Sequence, residues 1–406
     1  MDNTFSRHKD KMKNWARQIL LMTTVVFTAA MLTSCIYENE PDMQPEFPEG
    51  TGNLHLFFKM GILDAPTRAG ETNEMMHSLR IVMLDENGDV EYNNMLNFDE
   101  PQITYDTHIF TYAGHKKLFF IANESSVNYI TGPETTASLT AFLEGYEKGD
   151  PGFADAVSAL YFSLDTSKPL PLTAEYDIDP NIGQEDFEFW LVRAATKYSI
   201  HFENSRSADV YLNELSISYF AEANYLIPHV GTTTIDGEFW IDWLHSISDA
   251  SNEDPNDTNP GNTSFNNTHG WITDYWLPSG INDKVVFTPI TGANERIDKI
   301  QAVAGQEPIP GTLDLGPFYA PESKNLIDPN NLTGNQQYTL NLKLTDDYDK
   351  KEVVQSRILP NLNALFRNTH LVINVTMSEG YMHIYAEIRK WEVNDDVYGT
   401  LTEEEE

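Results

Sequence analysis

Cys35 carries the only thiol in the 406 residues. It follows Leu32-Thr33-Ser34 at the end of an apolar run, and a thiol so placed can be alkylated by a diacylglycerol. With that sulfur lipidated, no thiol remains for disulfides, thiolate zinc sites, iron–sulfur clusters or a cysteine nucleophile. Other reactive residue types occur without the spacing their chemistry needs. No G-x-S-x-G, H-E-x-x-H, P-loop or G-x-G-x-x-G follows the leader. His245 and Asp242 could form a dyad, but exposed turn residues account for them better. Asp254 and Asp257 offer oxygen ligands without the ordered calcium-loop spacing, so a solvated loop is the better account. Asp85–Asp89 has a calcium-like look that a strand hairpin explains. Trp240, Trp243, Trp271 and Trp276 could make a carbohydrate platform, although core tryptophans of a β-sandwich are the commoner case. No metal, cofactor or catalytic activity is expected.

What must position Cys35 is a leader. Arg7, Lys9, Lys11, Lys13 and Arg17 give a basic start, and the apolar run spans Ile19 to Leu32. Such a run is short of the ~20 residues that cross a bilayer core, and together with the small residues before Cys35 it reads as a secretory signal. The pattern resembles the bacterial lipobox, which implies cleavage before Cys35 and attachment by its lipid. A leader with a chance cysteine, or an uncleaved anchor helix, is the alternative.

The charge balance is strongly acidic, 62 Asp+Glu against 26 Lys+Arg. Losing residues 1–34 removes five basic and two acidic residues, leaving 21 against 60, a net charge near −39. Such a surface repels phosphate backbones, so no nucleic-acid partner is expected, and the lipid is left as the membrane attachment. Stability has to come from packing, for which 12% aromatic content suffices.

Residues 35–52, rich in Pro, Glu and Gly, read as a flexible acidic tether. From Asn53 the pattern changes: Leu54, Leu56, Phe58, Met60 and Ile62 alternate, a half-buried strand over Asn53–Leu63. Leu79–Leu84 and Lys116–Ala122 are further strands, with Asn87-Gly88 as a hairpin turn. Ser138–Lys148 and Phe153–Leu160 have helical spacing, Ser138 standing as N-cap. Prolines 169, 171 and 180 and the acidic run to Glu188 place a boundary near residue 185. Beyond it, alternation recurs at Tyr198–Phe202, Leu215–Tyr219, Tyr338–Leu344, Leu371–Met377 and Met382–Ile388, while 248–269 reads as a long exposed loop. These observations predict a mainly β protein: a first domain over 53–185 with minor helix and a second over 186–406.

Several segments, in order, resemble the fimbrillin-like subunits of Bacteroidetes type V pili: the lipobox, the first strand with Thr67-Arg68-Ala69-Gly70, Ser78–Val90, Lys116–Asn123, Leu191–Ile200 and Leu365–Val375. The Arg193–Lys197 segment departs from that pattern at Thr196, and 248–269 looks inserted. The resemblance implies two tandem transthyretin-like β-sandwiches and a stalk, tip or anchor role in a fimbrium on the outer membrane. It also implies partners: other subunits joined by strand exchange, the outer membrane through the lipid, and a host or glycan ligand. In that family a protease cuts after Arg or Lys and removes the first strand, and a neighbour's C-terminal strand fills the groove. The matching positions are Arg68 and the strand carrying Leu54, Leu56, Phe58, Met60 and Ile62, with Met382–Val397 as the donated strand. A surface lipoprotein that binds a glycan or host ligand without polymerising is the alternative.

Overall fold

In a computed structural model, the described residues are 53–64, 72–132, 134–181, 186–228, 284–324, 338–347, 350–359, 364–365 and 367–391. They belong to one compact unit, Gly52–Glu406. Among the described residues the chain is mainly β, with two short α-helices, both in its first half.

The first half runs through β1 (Asn53–Ile62), β2 (Met76–Leu84), β3 (Val90–Gln102), β4 (Thr104–Tyr112) and β5 (Lys116–Ala122). Short β6 (Asn128–Gly132) and β7 (Thr135–Ser138) lead into α1 (Leu139–Glu144) and α2 (Phe153–Ser158). After them come β8 (Tyr161–Phe162), β9 (Leu172–Ile178) and β10 (Asp186–Arg193). Seven of these strands form one sheet in the order β3-β2-β5-β9-β10-β1-β4. The sheet folds over at β9 and β10, which share only the pairs Val192–Thr173 and Arg193–Leu172. Inward side chains of β1, β2, β5 and β10 therefore meet in one core of Leu56, Phe58, Met60, Ile81, Phe120 and Leu191 among others.

β2 and β5 are buried on both faces. Leu79, Ile81, Leu118 and Phe120 face that core. Val82, Leu84, Phe119 and Ile121 face α1 and α2, against Leu139, Leu143, Phe153 and Val157. Double burial explains their unbroken apolar runs. The Ser138 hydroxyl accepts from the Ala141 N–H at 3.4 Å, capping α1 as expected. The helix is shorter than its spacing suggests, because Gly145 and Tyr146 donate three residues back, to Phe142 and Leu143. Those tighter bonds end it.

The second half comprises β11 (Thr196–Asn204), β12 (Val210–Ala221), β13 (Asn224–Tyr225), β14 (Lys284–Ile297), β15 (Gly311–Ala320) and β16 (Ser323–Lys324). It continues through β17 (Thr339–Asp346), β18 (Glu352–Ile358), β19 (Ala364–Leu365), β20 (Thr369–Ser378) and β21 (Tyr381–Lys390). Two four-stranded sheets, β15-β11-β20-β21 and β14-β12-β17-β18, share one core. It holds the alternating Tyr198, Ile200 and Phe202, Leu215 and Ile217, Leu340 and Leu342, and Leu371, Ile373 and Val375. β10 lies beyond the expected boundary at 185 yet pairs within the first sheet, because Phe189 and Leu191 fill the same core as β1. The chain passes from one sheet system to the other through the buried Ala194-Ala195.

Candidate functional site

β1 occupies an inner position of the first sheet. On one side it runs antiparallel to β4, with Leu56 opposite Ile109 and Phe58 opposite Thr107. On the other it runs parallel to β10, from Phe57 opposite Asp186 to Ile62 opposite Leu191. The alternation read from sequence becomes two distinct faces. Leu54, Leu56, Phe58, Met60 and Ile62 are 5%, 0%, 0%, 0% and 1% exposed, so the strand is inserted rather than laid on. The Phe58 ring meets Phe189, Phe187 and Phe120 edge-on, at 5.1, 6.1 and 6.4 Å between centroids. Edge-to-face contacts of this kind add to area burial.

The outward face is of another character. His55 stacks on Phe110 at 4.6 Å and on His108 at 4.8 Å. Lys59 donates to Glu188 at 2.9 Å, an exposed pair. Beyond it the Trp190 ring lies over Gly61, where a Cβ would sit 2.7 Å from the ring. Only a residue without a side chain leaves room for the ring in that pose.

The far end of β1 is fastened to a buried polar cluster. Ile62 and Leu63 donate to the carbonyls of Ile103 and Leu191. The Leu63 carbonyl accepts from Arg193 Nη1 at 3.0 Å, and the same nitrogen donates to Asn368 Oδ1 at 3.0 Å. Arg193 is wholly buried, with its guanidinium 4.8 Å from the centre of the Trp391 ring. Glu74 lies beside both. It accepts from Tyr319 Oη at 2.7 Å and from Trp391 Nε1, and pairs with Lys197 at 3.1 Å and Arg193 at 3.9 Å. Burial pushes the Glu74 pKa up, but Arg193, then Lys197, then the two hydrogen bonds outweigh it and hold the carboxyl below its usual range. Cation–π contact and ion pairing are strongest where water is excluded, as here.

A second buried arginine braces the same region. Arg367 donates to Glu322 Oε1 at 2.6 Å, to Thr173 Oγ1 at 3.4 Å, and to the carbonyls of Leu226 and Tyr225 at 3.0 and 2.7 Å. Next to it Asn368, at φ 56°, donates its N–H to the Ala195 carbonyl at 2.8 Å.

Not every sequence-nominated residue falls within the described part. Cys35, Arg68, Asp242, His245, Asp254, Asp257, the loop 248–269 and Trp240, Trp243, Trp271 and Trp276 lie outside the described residues. Arg68 belongs to the segment 65–71, whose two flanks, Leu63 and Glu74, both end on the polar cluster. Met382–Val397 is described as far as Trp391, as β21 and the residue after it. β21 pairs with β20 alone among the described strands. Asp85–Asp89 forms a hairpin turn in which Asp85 Oδ1 accepts from the N–H groups of Asn87 and Asp89 at 2.8 and 3.0 Å. Among the described residues, no group of three His, Cys, Asp or Glu side chains is placed to hold a metal ion.

Sequence reasoning missed the cluster of Glu74, Arg193, Tyr319 and Trp391. The one available signal was Arg193, an arginine inside an otherwise apolar Leu191–Ala195 run.

No family model matches the sequence, and no curated protein matches it. Solved structures similar to the chain include the tip fimbrial protein Mfa3 of Porphyromonas gingivalis, with a C-terminal truncation. That likeness has 13% identity and a TM-score of 0.46, covering 84% of this chain and 100% of the other. A fimbrial assembly protein of Parabacteroides distasonis is similar at 8% identity and a TM-score of 0.40, over 82% of this chain and 95% of the other. At these levels of identity and superposition, what this chain does has to be read from its own residues.

Proposed function

We propose that the protein is a lipid-anchored surface subunit of a fimbrium, carried to the outer membrane by Cys35 and joined to its neighbours by strand exchange. The observation that carries this reading is β1: five of its side chains fill the core of the first sheet, and it is followed closely by the arginine-bearing segment 65–71. Burying five such side chains stabilises by on the order of 10 kcal/mol. That is comparable to the ~5–15 kcal/mol of a whole domain. A groove emptied of β1 would not persist; it would aggregate or take up another strand, since β4 and β10 would both present unpaired backbone groups. Two modules, one on each side of Ala194-Ala195, complete the proposal, the first acting as acceptor and the second supplying β21.

The experiment is cleavage of the purified protein with an Arg-specific protease. SDS-resistant oligomers that form after the cut, and fail to form from the Arg68→Ala variant, support the proposal. A cleaved protein that stays monomeric and folded would overturn it and leave a non-polymerising surface lipoprotein as the reading.

A further inference from the structure

We infer that the Glu74–Arg193–Trp391 cluster is a latch through which the first strand keeps the last strand shut, so that loss of β1 readies β21 of the same molecule for donation. The inference rests on the strand-exchange reading above and adds its regulation.

The geometry is specific. Arg193 holds the first strand by the Leu63 carbonyl at 3.0 Å and covers the ring of Trp391, the residue immediately after β21, at 4.8 Å. Glu74 takes the indole N–H of Trp391 and the hydroxyl of Tyr319, whose ring stacks on Trp391 at 5.9 Å. Leu63 and Glu74 are the nearest of these anchors on either side of the segment 65–71. A cut after Arg68 therefore acts on both grips. On one side β1 can leave with Leu63, and Arg193 Nη1 loses one of its two acceptors. On the other, Glu74 is left five residues from a new chain end.

The cluster works only while dry. The attraction between Arg193 and the Trp391 ring, and that between Glu74 and its two cations, weakens once the vacated groove admits water. Trp391 is 1% exposed with β1 in place. Among the described strands β21 has a single neighbour, so its end depends on Trp391 more than an inner strand would. Coupling of this kind is reciprocal: whatever loosens Trp391 must loosen β1 to the same degree.

Hydrogen exchange on the full chain, read by mass spectrometry, tests the latch in two arms. In the first, the protein is cut with the Arg-specific protease. Once residues 53–64 have dissociated, exchange in 381–391 should rise at least tenfold while 339–346 changes little, and Arg68→Ala should show neither effect. Departure of 53–64 with unchanged exchange in 381–391 would overturn the latch. The second arm uses the uncut chain. Trp391→Ala should raise exchange in 53–63 several-fold, and Trp391→Phe, which keeps a ring over Arg193, should restore part of the protection. Exchange in 53–63 that ignores both substitutions would overturn the latch, whatever happens on cleavage. If the cut strand stays bound, the strand-exchange reading fails while this second arm still decides the coupling.

Discussion

Tyr319 donates a hydrogen bond of 2.7 Å to Glu74, two residues 245 positions apart in the chain. Glu74 closes a single helical turn before β2, and Tyr319 is the last residue but one of β15 in the other sheet system.

The acid sensitivity of that tie follows from Glu74. Its carboxyl is held below the ordinary value, with burial opposing and Arg193 the strongest cause in favour. A depressed carboxylate adds stability that is fully present above its unfolded pKa, ~4.3, and is lost as pH falls through the folded value. Glu74→Gln should therefore be less stable than the parent at pH 7, and the gap should narrow as pH falls below that unfolded value. Denaturant melts at both pH values check it, and a gap that widens in acid would contradict it.

Arg193 should tolerate no replacement. Removing one partner from a buried ion cluster costs ~3–5 kcal/mol, because the other charge is left uncompensated. Arg193→Ala is expected near that range. Arg193→Lys should still lose a large part of it, since one ammonium cannot bridge Leu63, Asn368 and the Trp391 face as a planar guanidinium does. Chemical denaturation of the two variants measures both.

Within the β1 core, Phe58→Ala should cost ~3–5 kcal/mol by opening a cavity among Phe120, Phe187 and Phe189. His55→Ala, on the exposed face of the same strand, should stay within about 0.5 kcal/mol. Similar losses at both positions would mean that the two faces of β1 are not distinct.

Two glycines should respond differently to alanine. A Cβ at Gly311 would lie 1.9 Å from the Asp298 carbonyl oxygen, backbone that cannot step aside. A Cβ at Gly61 would meet the Trp190 ring, which is 38% exposed and can swing outward. Gly311→Ala should sharply lower the melting temperature, and Gly61→Ala should change it little.

Cys35→Ala should abolish labelling by a clickable fatty acid and release the protein from membrane pellets. Membrane partition that persists without labelling would point to an uncleaved helix.

How much of this was legible in sequence varied with local pattern. β1 and β5 were readable because burial imposes period two on one and an unbroken run on the other. β3 was not, because Asn94 interrupts its apolar face of Tyr92, Leu96 and Phe98 and none of its residues after Val90 is fully buried. β4 escaped because Thr111, wholly buried, serves as a donor to Glu91 rather than as an apolar core residue. β14 contains Pro289 and Gly292, and its pairing with β12 is broken by register shifts that erase any simple alternation. The polar cluster was the hardest to see. Glu74, Arg193, Tyr319 and Trp391 are ordinary residues in sequence, and only the meeting of four distant segments gives them a role.

The pairing of β1 also sets a direction. One neighbour is parallel and the other antiparallel, so a strand seated in that slot can satisfy both in a single orientation. A segment supplied by another copy would have to enter beside Tyr112 and finish beside Arg193. Every junction in a row of such copies would then point the same way, a heterologous contact that need not close into a ring. The resulting fibre would be polar, with chemically different ends, and could lengthen at one end while the other stays fixed.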